Sequence, residues 1–184
     1  MTSNTFEIRS GGDLRAVSPN KLSGYAAVFN KLSHDLGGFV EQIRAGAFTK
    51  SLRENAPVRA LYEHDDQRIL GSTRSGTLKL SEDAKGLRFE LDLPATTYAQ
   101  DLAVLVERGD IAGMSFGFVV PSGGDNWEVR SGVLTRDLID IRLSEITVTA
   151  NPAYPDTEVA KRSMNTYLLN EYLDTPSMWI QTCG

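Results

Sequence analysis

An α+β domain built on a mainly antiparallel, barrel-like β-sheet with a few surrounding helices is what this sequence predicts, and three observations predict it. Short β-prone stretches recur along the chain, divided by Gly, Pro, Asn and Ser. Only two or three segments carry a helical period, and they lie between strands rather than in a block. The chain has 184 residues, 41% hydrophobic and 23% charged, which suits a single sizeable core and falls short of two full domains. One domain over residues 1–158 and a C-terminal tail over 159–184 is the resulting expectation.

From the N-terminus, Phe6 to Ile8, Tyr25 to Phe29 and Phe39 to Ile43 read as strands. Gly46 to Asn55 sets Phe48 and Leu52 four apart on one helical face, and Pro57 blocks extension, which predicts a short helix. Val58 to Tyr62 reads as a strand running into Glu63, His64, Asp65 and Asp66, so His64 falls at a strand end or in the loop after it. Leu78 and Leu80 alternate before a turn over Ser81 to Gly86. Leu87, Phe89, Leu91 and Leu93 alternate after it, and the two runs predict a hairpin. Thr97 with Gln100 resembles a capping box, followed by Tyr98, Leu102, Leu105 and Val106 at helical spacing and a stop at Gly109. Strands follow at Gly113 to Val120, at Trp127 to Arg130, and from Leu134 to Ala150 with a break near Asp140 or Arg142. Past Pro152 and Pro155 the pattern weakens, and Asn165 to Leu173 reads as a short helix or a mobile tail. Strand order is not readable from any of this.

A formal charge of −5 gives no Lys/Arg excess to neutralise phosphates, which argues against nucleic acid as a ligand. Cys183 is the only cysteine, which excludes an intrachain disulfide and a Cys-rich metal site and argues against a thiol nucleophile. No stretch approaches the roughly 18 apolar residues of a membrane span, and the first residues lack a basic start and apolar run. The expectation is a protein neither secreted nor in a membrane.

Chemistry is confined to few residues. There are two histidines, His34 and His64. His34 lies in the polar stretch Lys31 to Gly38, where an idle loop histidine is the plain reading. His64 is either part of a solvated turn or a general base. Ser115 sits in an apolar run; in an extended chain Met114, Phe116 and Phe118 share one face, and Gly113, Ser115 and Gly117 the other. A serine without bulky same-strand neighbours would let a polypeptide approach its hydroxyl, as acyl transfer requires, although glycines also make room for packing. The letters match Gly-x-Ser-x-Gly, but a strand follows where that motif needs a helix. Alternation puts Glu145 with Leu143 and Thr147, opposite Ile146 and Val148; it is either a carboxylate seeking a partner or part of a wet strand face.

Five segments together carry a resemblance: Gly24 to Asn30, Glu41 to Phe48, Leu61 to Asp65, Gly109 to Phe118 and Leu143 to Tyr154. Their order, over roughly Leu22 to Val159, resembles that of the prohead (procapsid) maturation serine proteases of tailed bacteriophages, a family related in fold to the herpesvirus assembly protease. The resemblance implies a catalytic pair, His64 after a strand and Ser115 in the Gly-x-Ser-Phe-Gly-Phe strand. The herpesvirus relatives use a second histidine as third member, but none follows His64 here, so an acid would replace it: Glu145, with Asp140 as the alternative. The oxyanion site would correspond loosely to Asn151, Pro152 and Ala153, without the arginines used in the herpesvirus enzymes. Such chemistry needs no metal and no organic cofactor. The implied partners are the major capsid protein with its scaffold segment, or a separate scaffold protein, together with the protease's own tail and possible self-association. The implied setting is the procapsid in the host cytoplasm. Two rivals remain at this point. One is a non-enzymatic head assembly or scaffold protein with the same fold, to be separated from the enzyme by whether Ser115 Oγ and His64 lie within hydrogen-bond reach. The other is a metal-dependent hydrolase using His34, Asp35, His64 and Asp65, which no His-Glu-x-x-His pattern supports.

Overall fold

Two sheets of unequal size carry the eleven strands of the described residues. A computed structural model describes residues 5–150 and 157–174, and within the final helix the side chains of 161–169. Along the chain come β1 (Phe6–Ser18), β2 (Lys21–Val28), β3 (Val40–Ile43), α1 (Thr49–Glu54), β4 (Arg59–Tyr62) and β5 (Asp65–Ser72). Next are β6 (Leu78–Glu82), β7 (Gly86–Asp92), α2 (Thr97–Arg108), β8 (Gly113–Val119), β9 (Asp125–Arg130), β10 (Val133–Leu138), β11 (Arg142–Thr149) and α3 (Thr157–Asp174). The larger sheet runs β5-β4-β11-β8-β1-β2-β7-β6, and the smaller one β3-β10-β9. Pairing is antiparallel except between β11 and β4 and between β10 and β3, so the chain is a strand-dominated α+β fold.

The large sheet curls into a half-barrel. Its two edges meet where the Ser72 N–H at the end of β5 donates to Thr77 Oγ1 just before β6, at 3.0 Å. Inside the curl lies the apolar set that alternation selects: Leu22 from β2, Leu87, Phe89 and Leu91 from β7, Met114, Phe116 and Phe118 from β8, and Ile146 and Val148 from β11. Phe48, just before α1, meets Phe116 edge-on with ring centres 5.9 Å apart, a favoured aromatic geometry. Helix α2 adds Ala99, Leu102 and Val106 to the same core and ends at Gly109 with φ of 81°, a left-handed cap that glycine adopts without a Cβ penalty.

The small sheet is joined to the large one through charge. Arg9 and Glu7 of β1 meet Glu41 of β3 and Arg136 of β10, each 6% exposed or less. Arg9 Nε donates to Glu41 at 2.8 Å and Arg136 Nη1 to Glu7 at 3.0 Å. Arg136 Nε also reaches Asp125 at 2.7 Å. Beside this network Trp127 packs on Phe39 and stacks on Tyr167 of α3 at 5.2 Å.

Several sequence expectations need correction. The strand β5 was not expected, because Asp65 to Arg68 is polar; it forms as the second arm of a hairpin whose first arm is apolar. Thr96, not Thr97, is the cap of α2, in extended conformation and with no side-chain cap bond, so the Thr97/Gln100 capping box is not formed. Leu143 does not share a face with Glu145. The β8–β11 register slips between them, and this bulge turns Leu143 inward opposite Phe118 while Glu145 faces outward opposite Gly117. The C-terminal segment is helical from Thr157 rather than only over Asn165 to Leu173.

Candidate active site

The outer face of the large sheet gathers the residues singled out above. On three adjacent strands, Ser10 of β1, Ser115 of β8 and Thr147 of β11 are direct cross-strand partners, so three hydroxyl side chains form a row. One step along the strands, Ile8, Gly117 and Glu145 form the next row. The register of β1 slips after Ser10, at Gly11, and bulges of this kind re-aim neighbouring side chains.

His64 enters from the turn joining β4 to β5. Tyr62 and Asp65 are paired across that turn, leaving Glu63 and His64 as its two central residues, with φ of 54° and 57°. Positive φ at both positions is what a tight hairpin needs and is normally supplied by Asn-Gly. In residues with long or cyclic side chains it costs on the order of 1 kcal/mol each and persists only where contacts hold it. Two sets of contacts do. Glu63 Oε2 accepts from Thr149 Oγ1 and Oε1 from the Ala150 N–H, both at 2.7 Å, and His64 Nδ1 lies 2.7 Å from Glu145 Oε1.

That second contact fixes where the imidazole lies. Strand β4 runs parallel to β11, with Arg59 opposite Glu145 and Tyr62 opposite Val148. His64 follows Tyr62, so to meet Glu145 its ring must reach back along β11 past the level of Thr147, which is also the level of Ser115. The bond to Glu145 sets the tautomer with the proton on Nδ1 and leaves Nε2 as the acceptor. Nε2 is shielded from solvent and has no hydrogen-bond partner among the described residues. The Ser115–His64 hydrogen bond is therefore not made in this conformation; Ser115 Oγ lies 3.3 Å from Ser10 Oγ.

Glu145 is 8% exposed and Ser115 0%. The burial of Ser115 fits the second reading of its glycine neighbours, room for packing, and not open approach to the hydroxyl. At Gly117 the room is already taken, because a Cβ there would stand 2.3 Å from the Phe6 ring and 2.8 Å from Glu145 Cγ. Gly117 thus makes space for the Glu145 side chain.

The remaining candidates lie elsewhere. Asp140, between β10 and β11, pairs with Lys50 at 3.4 Å. His34 is exposed in the loop before β3. Its neighbour Asp35 accepts from the Gly37 and Gly38 N–H groups at 2.7 Å each, which hold its carboxyl below the usual range. Among the described residues there is no group of three or more His, Cys, Asp or Glu able to hold a metal ion, and no helix is long and apolar enough to cross a membrane. Asn151, Pro152 and Ala153, as well as Cys183, lie outside the described residues. Glu63, Ser10 and Thr147 were missed from sequence. Ser10 and Thr147 join the site only through strand pairing, and Glu63 carries no signal beyond its place next to His64.

Comparison with known proteins bears on the family and not on individual residues. No curated protein and no solved structure matches the chain. A family model described as Caudovirus prohead serine protease matches residues 5–170, a span that takes in both sheets, all three candidate residues and most of α3. On that match the chain belongs to the caudovirus prohead serine proteases, and so to the serine peptidases at the level of the family.

Proposed function

We propose that this chain is a serine endopeptidase that cleaves capsid or scaffold polypeptide, and possible self-substrates in its own tail, inside the procapsid during head maturation. Ser115 is the nucleophile, His64 the base and Glu145 the acid that orients it. The observation that carries the reading is the 2.7 Å contact of His64 Nδ1 with Glu145, which leaves Nε2 as an acceptor with no partner among the described residues. In the reaction Nε2 takes the Ser115 proton as Oγ attacks the peptide carbonyl and returns it to the leaving amine. Water then repeats the sequence on the acyl-enzyme, while Glu145 stabilises the imidazolium. Because Ser115 is fully buried, a substrate carbonyl reaches it only once the serine is exposed and the ring closes on Oγ. Kinship of fold with the herpesvirus assembly protease belongs to the same proposal.

The unmade Ser115–His64 bond, with Nε2 lacking a partner among the described residues, and the burial of Ser115 are what favour the rival, a head assembly protein that keeps the fold without the activity. Coexpression with the cognate major capsid protein separates the two. Mass spectrometry should find trimmed capsid protein with the wild type and intact capsid protein with Ser115→Ala. If heads assemble and the wild type cuts nothing, the assembly reading replaces the enzyme. If Ser115→Ala cuts as well as the wild type, Ser115 is not the nucleophile.

A further inference from the structure

Glu63 has a task that the triad does not include. Its carboxylate receives two short hydrogen bonds, from the Thr149 hydroxyl and the Ala150 N–H, although the side chain is exposed and could be solvated by water instead. Its own N–H donates to Val148 O at 3.0 Å. Three bonds thus tie this one turn residue to the end of β11, the strand that carries Glu145. The next residue is His64, in the same left-handed conformation. Left-handed Glu-His is a poor sequence for a two-residue hairpin, so the turn is held by its tertiary bonds rather than by its own preference. Without them the pair would relax toward negative φ, and a φ change at Glu63 swings the whole of His64.

We infer that Glu63 is a positioning residue: it clamps the His64 turn onto β11 and so sets the direction of the imidazole toward both Glu145 and Ser115. This rests on the proposed role of His64 as base. Loss of the clamp leaves the nucleophile, the base and the acid in place but loosens their alignment. A misplacement of about 1 Å costs on the order of 100-fold in rate, and the loss falls on kcat rather than KM.

Glu63→Asn is the informative variant. Asn is at home at positive φ, so the turn keeps or gains stability, but its shorter side chain cannot reach both Thr149 and Ala150. If Glu63 serves only the turn, Glu63→Asn is as active as wild type. If it is the clamp, Tm holds while kcat falls by about 10- to 100-fold with KM unchanged, and Glu63→Gln, which keeps the length and one acceptor, recovers part of the loss. A second readout does not depend on cleavage. With only two histidines in the chain, the Nδ1–H proton resonance of His64 is assigned by its survival in His34→Gln. It should be sharp and downfield in wild type, and broadened or shifted in Glu63→Asn. An unchanged resonance together with kcat within twofold of wild type overturns the inference. If the wild type cleaves nothing, the protease reading has failed, and the resonance alone decides whether Glu63 aligns His64.

Discussion

Adding one methyl group at Gly117 should uncouple activity from stability. In Gly117→Ala the new Cβ would stand 2.8 Å from Glu145 Cγ and 2.3 Å from the Phe6 ring, with ordinary contact beginning at 3.4 Å. Phe6 is 44% exposed near the end of its strand and can rotate outward at small cost. Glu145 cannot, since it is buried beside the strand and holds His64 at 2.7 Å. Retreat of Cγ by roughly half an ångström, carried to the end of the side chain, displaces the carboxylate by about 1 Å. At that displacement kcat falls on the order of 100-fold, whereas the packing cost is about 1–3 kcal/mol, the usual range for one excess methyl group in a filled site. The assay pairs kcat for capsid-protein cleavage with urea unfolding of the same preparations. The double variant Phe6→Ala with Gly117→Ala should regain stability and not activity, because only the Phe6 contact has been relieved. Activity of Gly117→Ala within threefold of wild type would refute the reasoning, as would recovery of activity in the double variant.

Three further outcomes follow from other contacts. Glu145→Gln replaces the carboxylate that meets His64 Nδ1 at 2.7 Å and no longer holds the imidazole in one tautomer, so kcat should fall by about 10²- to 10⁴-fold; a loss under threefold would detach Glu145 from the base. Arg136→Met leaves Glu7 and Glu41 buried with Arg9 as their remaining cation, which should cost about 3–5 kcal/mol in urea unfolding, and a loss under about 1 kcal/mol would show the network to be water-accessible. Arg130 and then Gln42, bonded to Asp137 at 2.7 and 2.8 Å, hold the Asp137 carboxyl below the usual carboxylate range. A depressed folded value means stabilisation that is complete above the unfolded value near 3.9 and lost as pH falls through the folded one. Tm should therefore drop less steeply below pH 5 in Asp137→Asn than in wild type, and parallel curves would rule this carboxyl out as a source of acid lability.

Period-two patterning located β6 and β7 because each buries one face; β8 and β11 are buried on both faces and were legible from their apolar and β-branched residues, and helical spacing with Gly109 as stop located α2. What composition could not reveal was pairing. The row Ser10, Ser115 and Thr147 depends on β8 lying between β1 and β11, strands more than a hundred and about thirty residues apart from each other's partners in sequence, and no local pattern encodes that. The polar strand β5 was invisible for the same reason, since it forms on β4 rather than by burying a face of its own. Ser115 and His64 were singled out only through the resemblance of five ordered segments to a known family. Residue chemistry alone left each of them open.

The positions where local rules failed are informative in themselves. Strict alternation was wrong at Ser144, where a bulge separates Leu143 from Glu145. Turn preference was wrong at Glu63 and His64, both left-handed, and at Gly117 the room a glycine leaves is filled by packing and not open to a substrate. Other register slips, near Val17 and Ala26, touch no candidate residue, so a bulge alone marks nothing. What distinguishes Ser144, Glu63, His64 and Gly117 is that each departure serves one contact: the bulge turns Glu145 outward, Gly117 gives it room, and the strained turn brings His64 to it. Local conflict retained at several independent points around one 2.7 Å contact is what a functional constraint produces and what stability alone would remove. The same argument fixes its own test. Replacing Glu63-His64 by Asn-Gly relieves the turn and abolishes the contact together, so a protein held only by stability should unfold at higher urea and still support head assembly. One selected for this contact should gain the stability and lose the cleavage.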